Sequence, residues 1–294
     1  VHVQGPTGVI AVVLFETALG SLALLWLAPL WGVVRPGFFK LVGATVLACS
    51  GLAWLAGHTA LEAAGPDGRA AARWLAAFAL AALVWQVLVY ARVGIRPRVG
   101  AVVGAAAAPA PAGAGQPEGR QGPAGPVAGA TELGRWAGMA AVLPGLAAVW
   151  PLAALSGRPL AGAVALLSGA LFLGATTDGL LLGHWYLVDR RLSNRPILAL
   201  ATWLIVGIAA ALLSAVLGGE RGGRVDQSLS PLLALPNLTV WLAVGLVLVC
   251  ALIAGFIRVL VRGGSIQAAT GMFYLAVVMA LAAEFAAKVY FFPA

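Results

Sequence analysis

Residues 236–261, PNLTVWLAVGLVLVCALIAGFIRVLV, hold a single charged side chain, Arg258. A helix of about 20 apolar residues spans the hydrocarbon core of a bilayer, so this stretch reads as a membrane crossing. Seven more runs of the same kind lie at about 9–34, 40–61, 72–93, 136–156, 160–187, 197–218 and 266–291. The expected fold class is therefore all-α, a polytopic transmembrane bundle of about eight spans. Composition agrees: 62% of the 294 residues are hydrophobic and 10% charged, against roughly 25% charged in an average soluble domain. A soluble chain of this length has too little interior to hide that much apolar surface. Lipid accepts it.

The same composition excludes other classes. The net charge of +8 invites a nucleic-acid reading, but the basic residues form no stripe and no aromatic-lined groove. They sit in the gaps between apolar runs, where they orient a membrane protein. Cys49 and Cys250 each fall mid-run, outside any CxxC or Cys/His spacing, and read as small buried hydrophobes. The first run lacks a basic n-region and reads as a retained span. Pro144 and Pro151 interrupt the fourth run and are expected to kink it; membrane helices tolerate proline where neighbouring groups satisfy the freed carbonyls. Trp31, Trp74, Trp136, Trp150 and Trp185 are placed near the interfaces, as an aromatic belt.

Orientation follows from basic residues counted over alternate loops. One side carries Arg35, Lys40, Arg92, Arg96, Arg98, Arg120, Arg135, Arg190, Arg191, Arg195, Arg258 and Arg262. The other carries Arg69, Arg73, Arg158, Arg221, Arg224 and Lys288, so the split is 12 against 6. The positive-inside rule then puts the first set in the cytoplasm and both termini on the outer side. Residues 99–132, rich in Ala, Pro and Gly, cannot build a packed core and read as a flexible cytoplasmic linker. They separate spans 1–3 (1–98) from spans 4–8 (133–294).

Ionisable groups inside spans are costly in lipid and mark functional candidates. The topology sorts them into two layers. Toward the outer face come Glu16, His58, Glu62, Glu284 and Lys288. His58 and Glu62, like Glu284 and Lys288, are four apart and share a helix face. A buried Glu beside a His suits proton removal from a bound quinol. The plainer reading is interfacial ion pairing, with Lys288 reaching for headgroups. Glu16 has no basic neighbour in sequence. Toward the cytoplasmic face come Asp178 and His184, with Gln86 and Gln267. Asp178 and His184 are six apart, on different helix faces about 9 Å apart along the axis. They suit a proton path, or else an Asp paired with an Arg from another loop and an interfacial His-Trp-Tyr belt. His58 and His184 fall at opposite faces, roughly 25–30 Å apart across the core, so a bis-His haem is not expected.

Two resemblances bear on function. The last span, Ala283-Glu284-Phe285-Ala286-Ala287-Lys288-Val289-Tyr290-Phe291-Phe292, resembles the end of the eight-span membrane anchors of dimethyl-sulfoxide and polysulfide reductases. Those anchors finish with Glu, a basic residue four later and aromatics, and carry a His at the outer end of the second span, where His58 stands. Their His-Leu-Gly-x-Pro is here His58-Thr59-Ala60, with Gly65-Pro66 several residues later. The resemblance implies a subunit that binds quinol (menaquinone or ubiquinone) and passes electrons to an iron–sulfur partner. Separately, Gly183-His184-Trp185-Tyr186-Leu187-Val188-Asp189-Arg190-Arg191-Leu192-Ser193 resembles the tryptophan-rich motif of haem-handling cytochrome c maturation proteins. Gly183, Trp185, Asp189, Arg191 and Leu192 match that motif, while Leu182, Tyr186 and Val188 stand where it has tryptophans.

The expected role is thus an integral subunit of a respiratory or electron-transfer complex in the cytoplasmic (inner) membrane, interacting with quinone, handling protons, or both. Its expected partners are the lipid bilayer and an iron–sulfur or cytochrome subunit, with no nucleic acid. The alternatives are a structural or assembly subunit, a haem-handling protein and a small-molecule transporter. The orientation is testable by labelling single cysteines. With Cys49 and Cys250 replaced by Ala, Asp67→Cys should react with an impermeant maleimide on intact cells, and Gln116→Cys only after lysis. The opposite pattern inverts the topology.

Overall fold

A computed structural model of the chain describes residues 6–28, 30, 34, 36–91, 128–188, 192–218, 238–289 and 291. All secondary structure among them is helical: α1 (Pro6–Leu27), α2 (Pro36–Ala63), α3 (Gly65–Tyr90), α4 (Ala128–Ala154), α5 (Pro159–Val188), α6 (Arg195–Gly218), α7 (Leu238–Arg262) and α8 (Ile266–Lys288). Each of the eight is long and apolar enough to cross a membrane. The expected linker at 99–132 lies outside the described residues up to 127, and its last five residues begin α4.

The boundaries differ most from those expected in α1, α3 and α4. α1 stops at Leu27 rather than near 34, because Pro29 lacks an amide donor and disfavours helical geometry in the residue before it. α3 starts at Gly65, seven residues before its apolar run, since Pro66 and Asp67 supply a preformed, dipole-matched first turn. α4 begins at Ala128 and runs as one element through Pro144 and Pro151. The α4–α5 and α7–α8 turns are tight, and each places a glycine at positive φ, Gly157 at 71° and Gly264 at 78°.

Packing groups the helices four and four. α1–α4 close one ring through the α1·α2, α2·α3, α3·α4 and α1·α4 faces, and α5–α8 close another through α5·α6, α6·α7, α7·α8 and α5·α8. The α1·α5 face is the main join between the rings. α1 is the central helix: 83% of its apolar window is buried, against 61% for α5 and 33% for each of α6, α7 and α8. In lipid, apolar side chains gain little by leaving hydrocarbon for protein, so close packing and small residues hold helices together. The first ring illustrates this. Gly138 and Gly145 of α4 leave room for Trp26 and Leu19 of α1 and for Trp85 and Phe78 of α3, while Phe15 and Phe78 meet edge-to-face at 6.1 Å.

α1 and α5 approach closest of all. A Cβ on Gly20 would lie 1.7 Å from the carbonyl oxygen of Ala170, and one on Gly174 would lie 2.3 Å from the carbonyl carbon of Gly20. The two backbones touch, and the helices run parallel, since rising numbers on α1 meet rising numbers on α5. α8 runs antiparallel to both: Lys288 meets Ala165, Phe273 meets Gly179 and Thr270 meets Gly183. Gly20→Ala should therefore destabilise the detergent-solubilised protein by about 3 kcal/mol or more, because neither backbone can move aside. Gly51→Ala, with nothing within 4 Å of the added methyl, should be neutral or slightly stabilising. Equal thermal unfolding of the two variants would contradict this packing.

Candidate functional site

Three of the ionisable residues singled out from the sequence come together. Lys288, in the last turn of α8, places its Nζ 2.9 Å from Glu16 Oε1 on α1 and 2.9 Å from Glu284 Oε2 one turn back on its own helix. It also donates to the Ala165 carbonyl of α5 at 3.1 Å. Two of the three ammonium donors thus make hydrogen bonds, to Glu284 and Ala165, and Glu16 is held as an ion pair. Glu16, Glu284 and Lys288 are 0%, 4% and 2% exposed. Lys288 therefore turns inward, where reaching for headgroups was one expectation.

The surroundings are shaped to this cluster. Gly169 of α5 lies against the Glu16 carboxylate: an added Cβ would sit 2.7 Å from both Cδ and Oε1. Only glycine leaves that space. Phe291 sets its ring 5.9 Å from the Lys288 ammonium, within reach of a cation–π contact. With all three groups ionised, two carboxylates face one ammonium, and a negative charge is left over. In a medium of low dielectric such an excess is expensive and calls for a counter-charge.

A cavity of about 70 Å³ adjoins the cluster, between α5, α6, α7 and α8. Glu284 and Lys288 form part of its wall, with the hydroxyl residues Ser168, Ser214 and Thr239 and small side chains such as Ala243. It lies where α6 and α7 pack less closely than the other sequential pairs of the second ring. Ser168 uses its hydroxyl proton on the Ala165 carbonyl at 3.1 Å.

The other candidates lie elsewhere. His58 on α2 stacks on Trp54 at 4.8 Å and directs Nδ1 at the Trp54 and Leu55 carbonyls of its own helix, each at 3.2 Å. Glu62 is exposed. Neither joins the Glu16–Lys288–Glu284 cluster among the described contacts. Asp178 is fully buried, without a hydrogen bond of ordinary length to either oxygen; Ser21 of α1 is the polar side chain beside it. No arginine pairs with Asp178 among the described residues. His184 lies on another face of α5, exposed, with Nε2 2.8 Å from the Tyr274 hydroxyl of α8. Gln86 is buried and donates to the Lys40 carbonyl at 3.0 Å, tying α3 to α2, while Gln267 is exposed. Within the motif around His184, Asp189, Arg190 and Arg191 lie outside the described residues, as does Trp31.

Sequence reasoning missed Gly169, Ser168, Ser214 and Thr239. A hydroxyl or a glycine in an apolar span is ordinary, and only the folded arrangement shows which of them face a charge. No family model, curated protein or solved structure matches the chain.

Proposed function

We propose that this chain is the quinone-interacting, proton-handling membrane subunit of an electron-transfer complex, with the Glu16–Lys288–Glu284 cluster as its proton-exchanging site. One observation carries the reading: two buried carboxylates share one ammonium beside a cavity. That set is one positive charge short, and a proton is the smallest ion that corrects the deficit. Oxidising a quinol releases two electrons and two protons, so a carboxylate able to alternate between charged and neutral forms is the acceptor such chemistry needs. The residues that resemble the end of the reductase anchors, Glu284 and Lys288, are two of the three cluster members, which supports the quinol assignment. Under the orientation given by the basic loops, the cluster belongs to the outer half of the membrane and protons leave outward. His58 and Glu62 belong to the same half, on α2.

The competing reading is a structural pin between α1, α5 and α8. Charge arithmetic separates the two. Glu284→Gln keeps a hydrogen-bond acceptor for Lys288 and leaves a balanced Glu16–Lys288 pair, so a pin tolerates it. A proton site does not. Glu284→Gln should fold with wild-type yield and thermal stability, yet lose the pH-dependent infrared band of a protonated carboxylic acid and the quinol oxidation of the complex purified through this chain. Normal quinol turnover in that variant removes the cluster from the mechanism. Lys288→Met strands two buried carboxylates and should cost about 3–5 kcal/mol of stability under either reading, which shows that the cluster is formed in the folded protein.

A further inference from the structure

The cavity beside the cluster has its own chemistry. Its volume of about 70 Å³ exceeds the ~10–15 Å³ that a single water needs, so it has room for water. Buried water needs two to four polar partners. The walls offer the Ser214 and Thr239 hydroxyls on α6 and α7, and Glu284 and Lys288 on α8. Among the described residues, α5, α6 and α7 add no titratable side chain to that lining; Glu284 and Lys288 are the titratable ones there, with Glu16 of α1 behind Lys288. Position matters as well. Thr239 is the second residue of α7 and Ala243 lies five residues in, about 7 Å along the helix. The cavity therefore reaches from the end of the bundle where α7 begins to the level of the ion cluster.

On the other side of the cluster the protein is closed along the α1–α5 seam. Just beyond Glu16, the Gly20 and Gly174 backbones touch, with no room for a methyl group. Asp178 and Ser21 lie past that contact. Water has space beside Glu284 and Lys288 and none where the Gly20 and Gly174 backbones meet.

We infer that the α6–α7 cavity is a hydrated vestibule through which the Glu284–Lys288–Glu16 cluster exchanges protons with the outer aqueous phase alone. This rests on the proton-handling reading of the cluster. A proton leaving Glu284 passes to cavity water, along the Ser214 and Thr239 hydroxyls, and out at the α7 end.

Cysteine accessibility tests the vestibule without needing the redox partner. In a Cys49→Ala, Cys250→Ala background, Ala243→Cys lines the cavity, and Ser214→Cys is a second position in case the first misfolds. Leu242→Cys, about half exposed on the outside of α7, is the lipid-facing control at the same depth. Native membranes are treated with a cationic methanethiosulfonate reagent from the outer or the cytoplasmic side. The thiolate is the reactive form, so a thiol in water should react at least about tenfold faster than one in lipid. The vestibule predicts fast labelling of the cavity cysteines from the outer side only, with Leu242→Cys unreactive. Labelling only by an uncharged lipophilic maleimide overturns it and identifies a lipid-filled pocket. Labelling from the cytoplasmic side, or by neither reagent, overturns it too. If the infrared test of Glu284 fails while the cavity cysteines label from outside, the vestibule is hydrated and the proton-handling reading is the part at fault.

Discussion

The structure turns on the place where two backbones touch. Gly20 and Gly174 let α1 and α5 approach until neither tolerates a β-carbon, and that contact makes α1 the central helix of the bundle. In lipid there is little gain from burying an apolar side chain against another, so dispersion at short range has to hold the helices. A residue on α1 near this crossing is removed from both water and hydrocarbon. Glu16 is four residues before Gly20, one turn away on the same face. The close approach therefore decides that its carboxylate meets protein groups only, and Gly169 on α5 clears the space it occupies.

Once Glu16 is held there, electrostatics dictates its neighbours. A lone carboxylate in the interior is too costly to keep ionised, and the bundle brings a lysine to it from the far end of the chain, 272 positions away in sequence (288 − 16). Lys288 is also tied to Glu284 and to a carbonyl of α5, so one ammonium joins α1, α5 and α8. Buried ion pairs generally contribute little net stability, because desolvation offsets attraction. What they enforce is position: any arrangement that separates the three leaves a charge unpaired. The same constraint that fixes α8 against α1 also creates the surplus carboxylate.

The fold was legible because its signal is local. Each span can be recognised from some 20 consecutive residues, and all eight were, with errors only where proline or a polar first turn moved a boundary. The ionisable residues were legible for the same reason, since a Glu or Lys in an apolar run stands out wherever it pairs. The pairing itself was not. Glu284 and Lys288 share a face by helix periodicity, but nothing in the sequence sends Lys288 to Glu16 rather than to the membrane surface. His58 and Glu62 satisfied the same four-residue spacing and do not join the cluster among the described contacts: His58 stacks on Trp54 of its own helix and Glu62 is exposed. Gly169 could not be found without α1 opposite it.

Asp178 makes the contrast that gives the cluster its meaning. It lies on the same α5 as Gly169, nine residues further on, or about 13 Å along the helix, and faces the same α1. Both carboxylates are 0% exposed. Glu16 receives a cation and has Lys288 and Glu284 to connect it to a cavity; Asp178 has a serine hydroxyl beside it and no cation among the described residues. The Gly20–Gly174 contact lies between them. Two acids on one helix interface have thus been given opposite surroundings, one paired with a cation that borders a cavity, the other enclosed. A structural role for intramembrane acids in general would not require that difference. Under the proposed proton exchange, the difference lets charge reach the cluster from one side and stops it on the other.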